Sequence, residues 1–215
     1  MTERVIGRFG GKIQGPLVLV FAGIHGNETA GIVAMEKAFQ MLHDRMPGGE
    51  DAFAGALVAL KGNLPALKAG QRFISRDLNR MWTPEHIHRI QQAENIHLSS
   101  EDKEMAQLLE LVHHALYEHQ PEVLIILDLH TTSADGGIFV IPANTKASLR
   151  LAKYIHAPVV LGLLEGIEGS LLHFTEATIL PWAVIRNNVW ASLLKAASTR
   201  TPPPSTGAWL HCSPP

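Results

Sequence analysis

Ala22-Gly23-Ile24-His25-Gly26-Asn27-Glu28-Thr29-Ala30-Gly31 is the stretch whose reading decides the fold. It follows an apolar run, Leu17-Val18-Leu19-Val20-Phe21, and it opens an amphipathic segment with Ile32, Met35, Phe39 and Leu42 on one face. That order reads as a buried strand, a tight turn and a helix over 28–43. Gly23 and Gly26 suit a turn of unusual backbone angles, and Asn27 is the expected helix cap. The turn places His25 and Glu28 at the carboxyl end of a strand, where open α/β sheets hold their ligands. An imidazole and a carboxylate three residues apart can reach one zinc ion. The spacing recurs at His119/Glu122 and His173/Glu176, so spacing by itself decides nothing. Only the pair at His25 lies on a glycine-flanked turn. His25 is here either a hydrogen-bonded turn histidine or a metal ligand.

A second strand of this kind is Val123-Leu124-Ile125-Ile126-Leu127, apolar throughout as a central parallel strand should be. It ends in Asp128-Leu129-His130-Thr131-Thr132, with Asp128 and His130 on one face. Two strand-end histidines and Glu28 have the composition of a catalytic zinc site with a position left for water. A structural zinc site would want cysteines, and the chain has one, Cys212. His113, His114 and His119 read as surface or boundary histidines of the helix that Ser99 begins.

Between these strands, residues 63–82 show no clean period but hold Asn63, Arg72, Asp77, Asn79 and Arg80. A loop this long inside a domain is usually functional or disordered, and Phe73, Ile74, Leu78, Met81 and Trp82 argue against disorder. Arg72 and Arg80 with Asn79, all within nine positions, point to anion recognition, because guanidinium forks grip carboxylates in a bidentate way. Solvated loop arginines are the other reading.

The rest of the chain frames these segments. Val5–Lys12 is expected to be an edge strand or a hairpin turning at Gly10-Gly11. Ala56–Leu60, Gly137–Pro142 and Pro158–Leu163 read as strands, and Thr145–His156 as a helix. Alternating strands and helices give an α/β class with a largely parallel or mixed sheet. The 215 residues are 46% hydrophobic, which fits one domain with a real core, or a domain plus an appendage. A net charge of −2 without a basic stripe argues against nucleic acid. No run is long enough to span a bilayer, and residues 16–27 make a poor signal peptide, so a cytoplasmic location without membrane contact is expected. Nothing in the sequence fixes the oligomeric state; a homo-oligomer is left open.

The ordered set Gly-Ile-His-Gly-Asn-Glu at 23–28, Arg72, Asp77-Leu-Asn-Arg80, Asp128-Leu-His-Thr-Thr132 and Leu172-His173-Phe174 resembles the succinylglutamate desuccinylase/aspartoacylase family of zinc hydrolases. The resemblance covers roughly residues 5–178. It implies a zinc carboxypeptidase-like three-layer domain, a mixed, largely parallel sheet flanked by helices. It implies one zinc per chain held by His25, Glu28 and His130. Arg72 would polarise the scissile carbonyl, Asn79 and Arg80 would bind the substrate carboxylate, and Asp77 would orient the site. The implied reaction is hydrolysis of the amide of an N-acyl amino acid by a zinc-activated water, with a glutamate taking the proton. A zinc carboxypeptidase acting on peptides is the neighbouring alternative, and an inactive metal-binding remnant is the third.

The family's general-base glutamate lies in a Thr-Phe-Glu-Cys-Gly-type segment after Leu-His-Phe. Here the chain runs Thr178-Ile179-Leu180-Pro181-Trp182, and no glutamate follows Glu176. Glu165, Glu168 and Glu176 read as loop residues outside the matching context. The expectation is therefore a catalytic domain over 1–180, incomplete relative to the family, and a divergent tail over 181–215, as a frame shift near Thr178 would give. The sheet is expected from residues up to about Thr178, with 198–215 irregular. Residues 183–197 could be an amphipathic helix, or a strand followed by a helix.

Overall fold

The computed structural model describes residues 3–92, 98–132, 137–175 and 189–198. A six-stranded mixed sheet forms the centre: β1 (Val5–Gly10), β2 (Ile13–Ala22), β3 (Ala54–Lys61), β4 (Val123–Thr132), β5 (Phe139–Pro142) and β6 (Val189–Ser198), in the order β1-β3-β2-β4-β6-β5. The inner strands β3, β2, β4 and β6 are mutually parallel, and the edge strands β1 and β5 run antiparallel to their neighbours. Around the sheet lie α1 (Ala30–Arg45), α2 (Leu64–Ala69), α3 (Pro84–Gln92), α4 (Ser100–His119) and α5 (Lys146–Ala152).

Alternation along β2 separates the two faces. Leu17, Leu19 and Phe21 pack with Met105, Leu108 and Val112 of α4, together with Leu78 and Trp82. Val20 faces the other way, into a smaller cluster with Met35 and Phe39 of α1. The helical stripes at i, i+3, i+4 and i+7 expected for α1 and α4 are thus the two outer layers closing on the sheet. Each fully buried aliphatic or aromatic side chain contributes roughly 1.5–3 kcal/mol through removal from water. No helix among the described residues is long and apolar enough to cross a membrane.

Several expectations change in detail. β1 is an edge strand but not half of a hairpin: the turn at Gly10-Gly11, both at positive φ, sends the chain to β2, while β1 pairs with β3. The cap of α1 is Thr29, not Asn27, and it makes no side-chain capping bond. Residues 63–82 are not all loop. Asn63 Oδ1 accepts the Ala66 N–H at 3.2 Å and starts α2, which Gly70 ends at φ 63°. Pro158–Leu163 gives one bridge, Val140 to Val159, rather than a strand; Leu161 is 67% exposed there, so the run has no face to bury.

The largest change concerns the sheet's extent. β6 inserts between β4 and β5, pairing Val123–Thr132 with Val189–Ser198 residue for residue. The sheet therefore draws on residues beyond Thr178, and the open reading of 183–197 becomes a strand from Val189. The composition of this run fits a strand as well as a helix. The rest of the expected tail, and the expected divide near residue 180, fall on 176–188 and 199–215, outside the described residues.

Candidate metal centre

The carboxyl ends of β2 and β4 are neighbours in the sheet, and each delivers a histidine. On the β2 side the strand pairing continues into the turns: Gly62 N–H donates to Ala22 O and Asn63 N–H to Gly23 O, both at 2.9 Å. Gly23 sits at φ +71°, and a Cβ on Gly26 would lie 2.0 Å from the Ala66 carbonyl carbon, so neither position admits a side chain without rearrangement. Glu28 N–H closes the turn on His25 O at 3.0 Å. This brings the His25 and Glu28 side chains together, 3% and 6% exposed. On β4, alternation places Asp128 and His130 on one side while Leu129 joins the α1 layer.

The carboxylate of Glu28 lies between the two rings. His25 Nδ1 is 2.9 Å from Oε1 and His130 Nδ1 is 3.0 Å from Oε2; the Thr131 N–H also donates to Oε2, at 2.7 Å. Each Nε2 has its own carboxylate. His25 Nε2–H donates to Asp77 Oδ1 at 2.9 Å, and His130 Nε2–H donates to Asp128 Oδ2 at 2.8 Å. An ionised carboxylate can only accept, so these bonds keep both Nε2 atoms protonated and turn both Nδ1 atoms inward. One donor atom from each of His25, Glu28 and His130 lies within 4.8 Å of the others, close enough to share a metal ion. The two Nδ1 protons are the ones a cation would replace. A ligating histidine whose other nitrogen donates to a carboxylate is the arrangement metal sites use to orient the ring and raise its basicity.

The electrostatics follow from this crowding. Burial opposes charge on His130, but Asp128 and Glu28 outweigh it and push the pKa up to about 10. Burial also opposes charge on His25; the bonds to Asp77 and Glu28 prevail over it and over nearby His130, and the pKa rises. Burial works against ionised Glu28 and Asp77 too, yet the bonds to His130 and His25 at the first, and to His25 and Arg72 at the second, hold both carboxyls well below the usual range.

Arg72 belongs to the same cluster. Its Nε and Nη2 donate to Asp77 Oδ2 at 3.3 and 3.0 Å, and Nη1 lies 3.5 Å from Glu28 Oε1. The side chain is 45% exposed, so one side of the guanidinium faces away from these partners. Asn79 is buried, and its amide is occupied at both ends. Oδ1 accepts the Leu171 N–H at 2.8 Å, and Nδ2 lies 3.4 Å from Asp128 Oδ2 and 3.1 Å from His130 Nε2. Arg80 is exposed, and its Nη1 donates to the Asn79 carbonyl at 2.6 Å. The structure thus brings His25, Glu28, Arg72, Asp77, Asn79 and His130 together, with Arg80 beside them. His173 stands apart, its Nδ1 2.9 Å from Ser170 Oγ. Glu165 and Glu168 are exposed, and Glu176 lies outside the described residues. Sequence reading gave Asp128 no role; its position two residues before His130, on the same strand face, was the available signal.

The model of the succinylglutamate desuccinylase/aspartoacylase catalytic domain matches residues 14–184. A probable aspartoacylase of Nostoc sp. is 32% identical over 141 residues, 64% of this chain and 43% of that protein. A succinylglutamate desuccinylase of Burkholderia orbicola is 41% identical over 69 residues, 32% of this chain and 19% of that protein. The chain spans less than half the length of these curated relatives. Among solved structures, succinylglutamate desuccinylase from Chromobacterium violaceum superposes with a TM-score of 0.58 at 20% identity, covering 88% of this chain and 57% of that one. Murine aminoacylase 3 gives 0.56 at 22% identity, covering 92% and 58%. These likenesses agree on the carboxypeptidase-like sheet with flanking helices. The chain belongs to the succinylglutamate desuccinylase/aspartoacylase family.

Proposed function

We propose that this chain carries the metal-binding centre of a zinc-dependent hydrolase of N-acyl amino acids, and that it turns over such amides poorly. The observation that supports the metal is the pair of imidazoles whose Nδ1 atoms converge on one carboxylate while an aspartate takes each Nε2 proton. Two nitrogens and a carboxylate without sulfur match catalytic zinc rather than a structural site. A zinc ion held this way supplies Lewis acidity and lowers the pKa of a bound water to about 7.

The chain's own residues do the rest. Asp77 and Asp128 keep the rings in the ligating tautomer. Arg72, tethered on one side by Asp77, presents its remaining N–H groups toward a substrate carbonyl, where charge builds in the transition state. Arg80, exposed beside Asn79, is suited to grip a substrate carboxylate in a bidentate way. Asn79 serves as a support for the site: its Oδ1 accepts the Leu171 N–H, its Nδ2 reaches Asp128 Oδ2, and its backbone carbonyl accepts from Arg80 Nη1.

The proton acceptor is the weak point. No aspartate or glutamate follows Glu176 in the sequence. A general base contributes typically ~10²–10⁴-fold in rate, so its loss leaves binding without efficient turnover. The test compares this chain with one whose residues after Thr178 are replaced by a Thr-Phe-Glu-Cys-Gly-type segment and the following part of an active relative. N-acetyl-L-aspartate and N-succinyl-L-glutamate serve as probes. Zinc binding by both proteins and a rate at least ~10²-fold higher in the chimaera are expected. Equal, substantial rates would refute the loss of the base and point to Glu165, Glu168 or Glu176.

A further inference from the structure

Residues 72–80 carry Arg72, Asp77 and Asn79, yet the side chains of Ile74, Ser75 and Arg76 at their centre are exposed. Their own packing does not hold the loop in place. The backbone does, through one residue of another element. Glu101, in the first turn of α4, is 0% exposed. Its Oε1 accepts the Ile74 N–H at 2.7 Å and Asn63 Nδ2 at 3.1 Å; its Oε2 accepts the Ser75 N–H at 3.0 Å and the Arg76 N–H at 3.2 Å. Three successive backbone N–H groups curled around an anion form a nest, here filled by the protein's own carboxylate. Charge-assisted bonds of this kind are roughly twice as strong as neutral ones.

The tether sits between two links to the metal donors. On one side the Arg72 carbonyl accepts the Gly26 N–H at 3.2 Å, inside the turn that carries His25 and Glu28. On the other, Asp77 accepts the His25 Nε2 proton and binds Arg72. Asn63, the cap of α2, donates to the same Glu101, so the β3–α2 turn and the loop share one anchor. Glu104, one turn further along α4, binds Arg4 Nη2 at 2.7 Å and the Leu64 N–H at 2.8 Å, fixing the start of α2 beside it.

We propose that Glu101 is a positioning residue for the metal centre: it holds residues 74–76 so that Asp77 meets His25 and Arg72 meets Asp77. This rests on reading His25, Glu28 and His130 as metal ligands. It gives Glu101 no contact with metal or substrate. Its effect passes chiefly through Asp77 to His25, whereas Asp128 and His130 stand on β4 and meet the loop through Asn79.

The test uses the full chain as wild type, Glu101→Gln and Glu101→Asp. Glutamine keeps size but aims an NH₂ at N–H donors, whereas aspartate keeps the charge. Amide hydrogen exchange is followed across 73–77 and across β2, and zinc affinity is measured by competition with a chromophoric chelator. In the wild type the 74–76 amides should exchange on the order of a hundredfold slower than free peptide, despite their exposed side chains. Glu101→Gln should remove that protection and leave β2 unchanged. It should keep one zinc per chain but bind it about tenfold more weakly, the loss expected when an orienting partner is freed. Glu101→Asp should recover part of both.

Unchanged 73–77 exchange or unchanged zinc affinity in folded Glu101→Gln overturns the proposal. So does faster exchange spread equally through β2, which would mean general destabilisation. If Glu101→Gln does not fold, wild-type exchange decides, and unprotected 74–76 amides overturn it. A wild type that binds no zinc defeats the metal reading separately, and exchange in the metal-free chain still decides the tether.

Discussion

The two histidines of the centre present the same nitrogen to the same carboxylate, but they are held by different kinds of structure. His130 and its partner Asp128 are two residues apart on β4, in the middle of a sheet, with Asp128 0% exposed. His25 lies on a turn, and its partner Asp77 comes from a loop 52 residues away that is itself tethered by Glu101 and shared with Arg72. One half of the site is fixed by strand register, the other by a chain of hydrogen bonds between loops. Register is costly to disturb, because a one-residue slip reverses every side chain. A loop held by hydrogen bonds can shift by fractions of an ångström without unfolding anything. The strand half should therefore set whether a metal binds, and the loop half how well the site is arranged around it.

The sharpest way to break this contrast is to remove each aspartate. Asp128→Ala leaves His130 buried without its partner, and breaking a buried pair costs about 3–5 kcal/mol. We expect a large drop in the thermal midpoint and zinc affinity down by about a hundredfold. Asp77→Ala should cost nearer tenfold in zinc affinity with little change in midpoint. Equal losses in the two variants would erase the distinction.

A smaller effect concerns pH in the metal-free chain. The pKa of His130 is raised to about 10 by Asp128 and Glu28 against its burial, so its contribution to stability is complete below the unfolded value near 6.5 and is lost as pH rises toward 10. The pKa values of Glu28 and Asp77 are lowered, so their contributions are present above the ordinary carboxylate range and are lost on acidification below it. Thermal unfolding of chelated protein should peak between about pH 5 and 6.5. His130→Gln should flatten the alkaline limb and weaken the part of the acid limb that Glu28 carries, leaving the part that Asp77 carries. Zinc should extend stability to higher pH, because the metal takes the place of the Nδ1 protons. An alkaline limb unchanged by His130→Gln would show that the strand half does not govern it.

The smallest effect expected is at the exposed cation. Arg72→Lys should leave zinc stoichiometry unchanged and weaken N-acetyl-L-aspartate binding by roughly tenfold, since an ammonium cannot hold Asp77 and face substrate in the same plane. Calorimetry on the zinc-loaded chain would check this. A loss of zinc itself would move Arg72 from the substrate side of the site to its scaffold.

Legibility in the sequence follows the same division. The strand half was readable, because apolar runs ending in Gly-Ile-His-Gly or Asp-Leu-His carry both period and chemistry within a few residues. The loop half was readable only as a set of unusual residues. Which backbone groups Asp77, Asn79 and Glu101 bind depends on contacts up to 92 positions apart, and no local period records them. Glu101 carries no signal of its role in the sequence, since acidic residues in a first turn suit the helix dipole in any case. Asn79 is placed toward substrate by resemblance, and no local pattern records that its amide meets Leu171 and Asp128. α2 and α3 escaped notice because six and nine residues are too few to show a period. β6 stayed open between helix and strand, because the run Val189–Ser198 fits both patterns.

The central claim is that His25, Glu28 and His130 form one metal site. The most direct measurement is zinc content by elemental analysis of the purified, dialysed chain beside His130→Ala, with His173→Ala as the control. The account predicts about one zinc per chain in the wild type and in His173→Ala, and none retained stoichiometrically in His130→Ala. Full zinc in His130→Ala, or a wild type that holds none after exposure to zinc, would contradict it.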